Sequence, residues 1–405
     1  MISGRPFRAE ARHAARACRV DRPPDLFSQA EEESEAPPQA GSLHSQARSE
    51  RALGRGARSQ LTPSFDPGGI EVSARHLIVC RRSAGGHRAT RTFDNTPSGH
   101  QALQRYLTRS GRPVRVCVEA TGRYRLDLCL TLQQAHVPVM VANPRAVRHF
   151  AQALMQRSKN DHLDAEVLCE FAARMPFQAW RPPSPLVLQL VGVARRLEDL
   201  TAMMTAEKNR LHAASLSQAL PRVVRLDGAR SLAAQQRARQ RLTEFALELI
   251  AGDPDGRQRY ALLLSIPGFG PTRALHVLAE LALLAPDLDL RQWVAAAGLD
   301  PREFTSGTSV RKTVRLSKAG NAHLRHALYM PALVAVQHEP HLRAFYEKLQ
   351  ARGKTKLQAL VAVMRKLLHA IFGLFKHQQE YDAQKVYTLT GADASATAAL
   401  DEVLA

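Results

Sequence analysis

The sequence predicts an α/β domain followed by a mainly α-helical remainder, and three observations carry that prediction. Val114, Val116 and Val118 form a β-branched run that is typical of a buried central strand. Between residues 69 and 141 the first predicted elements are strands, and the later strands alternate with helices. This order indicates a sheet of mixed type. From Leu186 onward, apolar residues recur at three- and four-residue steps, as they do in a helix with one buried face.

The elements of the α/β part follow from local patterns of apolar residues and from turn signals such as Asn143-Pro144. In chain order we predict a strand within 69–81, a strand around Ala89–Phe93, a helix capped by Ser98 that runs to about Ser110, a strand over Val114–Glu119, a helix over about Tyr124–Ala135, a strand over Val137–Val141, and helices over Ala146–Met155 and His162–Met175.

The helical part begins after the proline cluster at 182–185, which ends the α/β domain. Long helices over about Leu186–Ala219 and Leu232–Ala251 predict a spacer or a dimerising coiled coil, and a plain helical linker is an equal interpretation. The block from about 260 to 377 reads as mostly helical with Gly-rich turns. Within it, Gly268 and Gly270 resemble the turn of a helix–hairpin–helix that lets backbone amides approach a phosphate, although a plain Gly/Pro turn gives the same pattern.

The charge of the chain points to a polyanionic partner. The formal net charge is +19 over 405 residues, and neutralising phosphates with Lys and Arg releases bound counterions. Residues 301–376 carry fourteen Lys or Arg and only three Glu, so the excess is concentrated in the C-terminal third. We therefore expect this segment to contact phosphates, against the alternative of a merely soluble basic protein.

Composition also narrows the class of protein. No run approaches 18 apolar residues, so we expect no membrane span, and the five scattered cysteines form no CxxC pair, which favours a reducing compartment. Residues 1–66 lack apolar periodicity and are predicted to be disordered. Their Arg- and Ala-rich start faintly resembles an organellar transit peptide, but an over-extended start site is the preferred interpretation.

Four carboxylates meet the requirement of two-metal phosphoryl chemistry, which needs several acidic ligands converging on one point. Glu71 lies on the first strand, and Glu119 ends the Val-rich strand, where a carboxylate is costly unless it is paired or bound to metal. Asp161 and Asp164 share one face at the start of a helix. Acidic residues in a first turn are also favoured by the helix dipole alone, so the interpretation that these two only stabilise the helix stays open.

The segments GIEVS, VEATGRY, VANPRAVRHFA and KNDHLDA resemble, in order and spacing, the RuvC-like domain of the DEDD transposases of bacterial insertion sequences, the one-hundred-and-ten family with the related Piv-type invertases. The resemblance implies an RNase H-like fold in which Glu71, Glu119, Asp161 and Asp164 bind Mg²⁺ or Mn²⁺. The first motif departs from the family's GIDVSK, because Glu71 and Ala74 stand where the family has Asp and Lys. The added methylene shifts the metal ligand, so a weakened or inactive copy is an open alternative.

The segments AAAGLDPREFTSGTSVRKTVRLSKAGNAHLRHALYMPAL and RGKTKLQALVAVMRKLLHAIF resemble the second domain of the same transposases. The resemblance implies that Ser306, in the Ser-Gly motif, is a nucleophile; a turn serine in a basic loop is the alternative. Ser309 and Ser317 lie near Ser306 in sequence but are not part of the Ser-Gly motif. Cations that follow the serine would stabilise the developing phosphorane charge, namely Arg311, Lys312, Arg315, Lys318 and Arg325. Asn321 and His323 lie close enough in sequence to position groups there, with a surface role favoured for His323.

Together these patterns predict five segments: a disordered extension (1–66), a RuvC-like metal-binding domain (67–181), a helical linker or coiled coil (182–256), a C-terminal domain with the helix–hairpin–helix and the serine (257–380), and a flexible tail (381–405). The resemblance further implies donor and target DNA, a structured guide (bridge) RNA, and a homo-oligomer, dimer or tetramer, with a composite site shared between protomers. We expect a bacterial cytoplasmic protein associated with the nucleoid. The open alternatives are a metal-only nuclease for branched DNA and a decayed copy that only binds nucleic acid.

Overall fold

The computed structural model describes residues 65–389, except positions 121, 123, 157, 159, 217, 218, 308 and 309 and the side chains of 310–313. Five strands form its main sheet: β1 (Asp66–Val72), β2 (His76–Arg82), β3 (Arg88–Asp94), β4 (Val114–Glu119) and β5 (Val139–Ala142). The order is β3-β2-β1-β4-β5, with β1–β3 antiparallel and β4 and β5 parallel to β1. The predicted α/β sheet of mixed type is therefore confirmed.

Four helices cover the two faces of this sheet: α1 (Pro97–Thr108), α2 (Leu126–Gln134), α3 (Pro144–Ala153) and α4 (Asp161–Arg174). On one face, α1 and α2 bury Leu103 and Leu128 against Ile70 and Val116. On the other face, α4 packs so closely that a Cβ placed on Gly69 would lie 2.2 Å from the Ala165 carbonyl oxygen. The first face is an aliphatic core, and the second combines a close helix–strand contact with a smaller apolar cluster that includes Cys117, Leu168 and Phe171.

Two predicted boundaries in this domain are wrong. The single strand predicted within 69–81 is two antiparallel strands, because Ser73 accepts from the His76 amide (3.0 Å) and donates to its carbonyl (2.9 Å) to close a tight turn. This turn contains neither Gly nor Pro, so no turn signal marks it in the sequence. The predicted cap Ser98 is replaced by Thr96, whose hydroxyl accepts from the Gly99 amide. Pro97 then occupies the first helical turn, where its missing N–H is harmless.

The start of β1 corrects the predicted extension. Asp66 falls within the predicted disordered segment, but it is 1% exposed and accepts hydrogen bonds from Arg81 (2.7 Å) and Arg112 (3.0 Å). A buried carboxylate held by two guanidinium groups belongs to the folded domain. The remaining prediction for residues 1–64 lies outside the described residues.

The helical part consists of two long helices and a compact group of shorter ones. These are α5 (Pro185–Ser215), α6 (Arg222–Ala251), α7 (Pro254–Leu264), α8 (Pro271–Leu281), α9 (Leu290–Ala297), α10 (Ala322–His338), α11 (Pro340–Ala351), α12 (Lys356–His377) and α13 (Ala383–Val386). Near the start of α6, Gly228 lies against Leu211 near the end of α5, so the two long helices pack antiparallel. Both predicted long helices are present, and the second begins ten residues earlier than predicted.

One hydrophobic core joins α5 to the C-terminal helices. Leu190 and Leu197 of α5 belong to the same buried cluster as Leu275 of α8, Leu328 of α10 and Leu367 of α12. Helix α12 is long and apolar enough to pass a length-and-hydropathy test for a membrane span, but half of its apolar window is buried in this core. The core therefore continues across residue 256, the predicted edge of the linker.

The C-terminal block is not wholly helical. It contains an antiparallel hairpin formed by β6 (Pro301–Ser306) and β7 (Val310–Leu316), and all of β6 is exposed. The predicted tail also differs, because the Tyr387 ring packs at a tilt against Phe345 (ring centroids 5.4 Å apart) and its hydroxyl receives a hydrogen bond from Lys348 at 2.9 Å. Residues 381–387 therefore pack on the helical part, and the tail beyond 389 lies outside the described residues.

The contact between β1 and α4 gives the first stability prediction. We expect Gly69→Ala to lower the free energy of unfolding by about 3 kcal/mol, because the new methyl would meet the Ala165 carbonyl oxygen and the Cys169 nitrogen, both at 2.2 Å. Gly192→Ala is the matched control: nothing lies within 4 Å of its added carbon, so helix propensity should raise stability by up to about 1 kcal/mol. Denaturant unfolding measures both, and equal stability of the two variants would contradict the close packing.

Candidate active site

The two strand-borne carboxylates lie side by side at one end of the sheet. Ile70 of β1 pairs with Val118 of β4, and Glu71 and Glu119 are the next residues along these parallel strands. Side chains alternate along a strand, so residues at the same level of neighbouring strands point to the same face. Gly69, two residues before Glu71, contacts α4. Glu71 and Glu119 therefore belong to the face of the sheet that α4 covers.

The two helix-borne carboxylates lie toward the same end. The Cys169 thiol, late in α4, donates to the Pro67 carbonyl (3.2 Å), whereas Ala165, earlier in the helix, lies against Gly69. Helix α4 thus runs antiparallel to β1, and its first turn lies toward the strand end that carries Glu71. That turn contains Asp161 and Asp164, and the Asn160 side chain caps it by accepting from the Leu163 amide at 2.8 Å. We call Glu71, Glu119, Asp161 and Asp164 the carboxylate edge.

The donor set of the carboxylate edge is of the kind that Mg²⁺ and Mn²⁺ prefer, since all four ligands are carboxylate oxygens. Among the described residues, however, no three His, Cys, Asp or Glu side chains form a group that could hold a metal ion. The structure thus brings the four residues to one edge of one face, and metal binding by them stays a prediction.

Ser306 lies on the hairpin of β6 and β7, which we call the serine hairpin (residues 301–316). It is the last residue of β6, it is exposed, and its backbone pairs with Val310. Gly307 follows in a left-handed conformation (φ 57°) that favours glycine. The Ser306 hydroxyl is therefore carried at the turn of an exposed hairpin, where a large substrate can reach it.

Several of the predicted cations surround this hairpin. Arg315 and Lys318 are exposed, and the side chains of Arg311 and Lys312 lie outside the described residues. The pKa of Lys318 is lowered by desolvation and by the positive charges of Arg315 and Arg325. Positive charges held this close together repel one another, and a bound polyanion would relieve that repulsion.

The prediction that Arg325 contacts phosphate is contradicted by its position. Arg325 is only 8% exposed, and its guanidinium donates to the carbonyls of Ala297 (2.9 Å) and Gly320 (3.0 Å). These two residues flank the serine hairpin on either side, so Arg325 holds the two ends of the hairpin together. Its role in the structure is to position the hairpin.

The base of the hairpin is also closed by tight backbone packing. A Cβ on Gly320 would lie 2.2 Å from the Ala296 carbonyl oxygen, and Gly298 adopts a left-handed conformation (φ 64°) beside it. Ser317 donates its amide to the Asp300 carbonyl (3.0 Å), and its hydroxyl is hydrogen-bonded to the Asp300 carboxylate. That bond occupies the Ser317 hydroxyl, which makes it a structural group. Ser309 lies outside the described residues.

Gly268 also has a packing role. Its φ is 92°, and a Cβ there would lie 2.6 Å from the Pro331 carbonyl of α10, so the α7–α8 turn needs glycine to approach that helix. Gly270 is different: it is exposed, it precedes the first turn of α8, and no atom lies within 4 Å of an added Cβ. Phosphate approach to this turn stays a prediction, and Gly270 is its more accessible residue.

A buried ionic network anchors the segment after the hairpin. Glu280 of α8 is 2% exposed and accepts from Arg195 of α5 (2.9 and 3.2 Å) and from the Asn321 side chain (2.7 Å). The Asn321 side-chain oxygen in turn caps α10 by accepting from the His323 amide at 2.9 Å. Asn321, predicted to position groups near a phosphate, is thus a helix cap tied to two other helices.

A second carboxylate joins α5 to α10. Glu198 is hydrogen-bonded to His323 (2.9 Å) and His326 (2.5 Å), and these two bonds hold its pKa well below the usual range. His323 is exposed on the surface of α10, as expected, and its ring also forms a contact with α5 through Glu198. No sequence pattern used above predicts the roles of Glu198, Glu280 and Arg195. The available signal was that Glu280 sits in the apolar run ALHVLAEL, where an unpaired charge would be costly.

The serine-bearing part touches the sheet domain of the same chain close to the carboxylate edge. The Asn143 side chain donates to the Ala319 carbonyl (3.2 Å), and Arg145 donates to the Ser317 carbonyl (3.4 Å). Asn143 directly follows β5, whose last residue, Ala142, pairs with Glu119. The loop after the serine hairpin therefore rests on the end of the sheet that carries Glu119.

His276 is buried on α8, and its protonation gives a prediction about stability and pH. Burial and the positive charge of Arg273 lower its pKa to about 4, so the folded state disfavours the proton that the unfolded state binds below about 6.5. The free energy of unfolding should therefore fall by up to about 3 kcal/mol as the pH drops from about 6.5 to about 4. We expect His276→Leu to flatten this dependence and the exposed control His87→Leu to keep it, measured by denaturant unfolding across that range. An unchanged slope in His276→Leu would contradict the assignment.

Comparison with known families assigns the class of the protein. A model for the DEDD transposases of IS110 matches residues 69–221. A second model, for transposases of the IS116/IS110/IS902 family, matches residues 260–347. The first range includes all of the carboxylate edge, and the second includes the serine hairpin. The protein is a DNA transposase, an enzyme of the recombinase class.

Individual relatives agree with this class. The pilin gene-inverting protein of Moraxella bovis is 27% identical over 295 residues, which cover 72% of this chain and 90% of that protein. An uncharacterised 43.6 kDa protein of insertion element IS110 from Streptomyces coelicolor is 28% identical over 123 residues, 30% of each chain. A putative transposase of Sinorhizobium fredii is 38% identical over 119 residues, 28% of this chain and 29% of that protein. The chain belongs to the IS110 family of insertion-sequence transposases.

Proposed function

We propose that this transposase cuts and rejoins DNA at the ends of an insertion sequence through a covalent bond between Ser306 and a DNA phosphate. The observation that carries the proposal is the arrangement of its groups: an exposed serine at the turn of a basic hairpin whose base rests on the sheet end that bears Glu119. Such a pairing supplies a nucleophile, positive charge and carboxylates to one phosphodiester.

In the proposed reaction, the Ser306 oxygen forms a bond to phosphorus as the bond from phosphorus to the leaving DNA oxygen breaks. The serine proton passes to solvent or a nearby base, and the leaving oxygen acquires a proton. A second DNA hydroxyl then loses its proton and bonds to phosphorus as the serine–phosphorus bond breaks, which rejoins the strands, and the Ser306 oxygen regains a proton. Arg315 and Lys318 stabilise the negative charge that develops on the phosphate oxygens.

The sheet domain is proposed to be RNase H-like, as in RuvC. The strand order β3-β2-β1-β4-β5, with an antiparallel β1–β3 meander and parallel β4 and β5, supports that assignment. Glu71, Glu119, Asp161 and Asp164 would hold Mg²⁺ or Mn²⁺, whose chemistry at such a site is to neutralise charge on a reacting phosphate. The fit rests on the carboxylate donor set and its placement at one edge of the sheet.

The proposal extends to the assembly. The predicted domains are a metal-binding unit at 67–181, a helical linker at 182–256 and a serine-bearing unit at 257–380. We infer a homo-oligomer in which the antiparallel pair α5–α6 contributes to the interface. In the composite site that the resemblance implies, the serine hairpin of one protomer would act at the carboxylate edge of another, in addition to the contact within one chain. Exposed apolar side chains near the end of this pair, Leu216 and Val223 among them, support that role. Donor and target DNA would be chosen with a structured guide RNA in the bacterial cytoplasm, at the nucleoid.

A reconstituted exchange reaction tests this function. The full chain is mixed with donor and target DNA, Mg²⁺ and a transcript of the DNA that flanks the coding region. Joined products that require both the metal and the transcript are expected. Products that form equally well without the transcript would contradict RNA guidance, and cleavage without rejoining would favour the metal-only nuclease.

Glu71 supports a second candidate, a decayed copy that only binds nucleic acid, because the family has Asp at this position. We expect Glu71→Asp to raise the exchange rate about 10-fold or more if the longer side chain misplaces the ligand. The exchange assay above measures this, with the exposed acid change Glu248→Asp on α6 as the control. Robust exchange by the unchanged protein would reject the decayed copy.

A further inference from the structure

A groove of about 500 Å³ opens at the same end of the sheet as the carboxylate edge, next to the opposite face. We call it the Tyr124 groove. It lies between the β1–β2 turn, the start of α1, and α2, and its lining includes Asn95, His100, Gln101, Tyr124, Asp127 and Thr131. None of these residues has a part in the function proposed above.

The groove is built from the loops that follow the two strand carboxylates. Ser73 comes two residues after Glu71, and Tyr124 comes five residues after Glu119. The Asn95 side chain bridges these loops by donating to the Ser73 carbonyl (2.8 Å) and to the Tyr124 carbonyl (3.2 Å). A ligand in the groove would therefore lie at the end of the sheet that carries these two carboxylates, next to its other face.

The bridging amide is itself fixed. His100, which is buried on α1, donates from Nε2 to the Asn95 side-chain oxygen at 2.7 Å. Burial lowers the pKa of His100, which keeps the ring neutral, although the charge of Asp127 opposes the shift. The floor of the groove thus contains neutral groups whose hydrogen bonds join the two loops.

The chemistry of the lining selects a particular class of ligand. Of the described residues that line the groove, none is Lys or Arg, and Asp127 would repel a phosphate. Gln101, Gln134 and Thr131 offer amide and hydroxyl groups. Tyr124 presents an aromatic ring that is 59% exposed. These are the features of a site for a flat, uncharged ligand that makes hydrogen bonds along its edge and stacks on its face.

We propose that the Tyr124 groove binds an unpaired nucleobase of the DNA strand beside the phosphate that Ser306 attacks. The base stacks on Tyr124, and its edge is read by Gln101 and neighbouring amides, while its phosphate stays outside at the carboxylate edge. Extracting a base in this way would hold the strand in position for reaction and make the enzyme sensitive to the base at that place. The inference rests on the proposed function.

Fluorescent base analogues test the groove without relying on catalysis. The full chain carrying Ser306→Ala is mixed with strands of the element end that contain 2-aminopurine at successive positions around the cut. One position should change in fluorescence on binding. Tyr124→Ala should remove that change and weaken binding about 5- to 150-fold, the effect of losing one stacked base, and Tyr124→Phe should keep both. Phe245→Ala, which removes an exposed aromatic ring from α6, is the matched control and should bind normally.

The outcomes separate this inference from the function on which it rests. Equal fluorescence and binding for Tyr124→Ala and the control would overturn the proposal that the groove binds a base, whether or not Ser306 is the nucleophile. A second outcome is a Tyr124-dependent signal at one DNA position although the protein with Ser306 unchanged forms no adduct. This result would support base binding in the groove and reject the covalent mechanism. A signal seen with an RNA strand of the same sequence and absent with DNA would overturn the assignment to the cut strand.

Discussion

Replacing Ser306 by alanine should abolish strand exchange, with a loss of about 10⁴-fold or more, because removing a covalent nucleophile leaves only binding and electrostatic stabilisation. DNA binding should be nearly unchanged, since Ser306 is one exposed hydroxyl among many cations. Exchange assays and electrophoretic mobility shifts on the same preparation measure the two quantities. The same variant should yield no protein–DNA adduct that survives denaturation.

Two neighbouring serines provide the controls. Ser309→Ala should retain exchange within a few-fold, because the proposed attack uses only Ser306. Ser317→Ala should reduce exchange together with thermal stability, since its hydroxyl is bonded to Asp300 at the base of the hairpin. A covalent adduct that persists in Ser306→Ala and disappears in Ser309→Ala would assign the nucleophile to the other serine.

Replacing Glu119 by glutamine should lower the exchange rate about 10²- to 10⁴-fold and raise the Mg²⁺ concentration needed for half-maximal rate. The substitution keeps the size of the side chain and removes a charge beside Glu71, so metal binding weakens while the fold is retained. Metal titrations of the exchange rate measure both effects. Binding of DNA in the absence of metal should not fall.

The matched control is Glu248→Gln, which removes an exposed carboxylate from α6 far along the chain. It should leave both the rate and the metal requirement unchanged. Full activity of Glu119→Gln at low Mg²⁺ would contradict a metal site at the carboxylate edge. A loss of thermal stability equal to that of Gly69→Ala would show instead that Glu119 is a structural residue.

The central strands of the sheet were largely predictable because they carry buried residues on one or both faces. Val114, Val116 and Val118 are buried in β4, and this apolar run also indicated where Glu119 would leave the core. The turn at Ser73 was not predictable from these patterns, because it is closed by the serine hydroxyl without a Gly or Pro.

The serine hairpin was not predicted for a different physical reason. All six residues of β6 are exposed, so no buried face imposes an alternation of apolar and polar residues that would indicate a strand. What holds the hairpin is its base, where Gly298 and Gly320 meet and Arg325 bonds the carbonyls on both sides.

Long-range contacts account for the remaining differences at the candidate site. Arg325 is predicted to contact phosphate because many basic residues lie near it in sequence. Only the packing of α10 shows that it is buried. Glu280 and Arg195 are 85 residues apart, and their pairing depends on how α5 and α8 pack. Sequence periodicity indicates which helix face is buried but not which partner a buried charge will meet.

Peptide mapping of the covalent product tests the central claim most directly. The full chain reacts with DNA of the element end, is denatured and digested by a protease and a nuclease, and is analysed by mass spectrometry. We expect a nucleotide joined by a phosphodiester to the peptide that contains Ser306, and we expect it to be absent in Ser306→Ala. Cleaved DNA with free ends and no nucleotide on that peptide would contradict it.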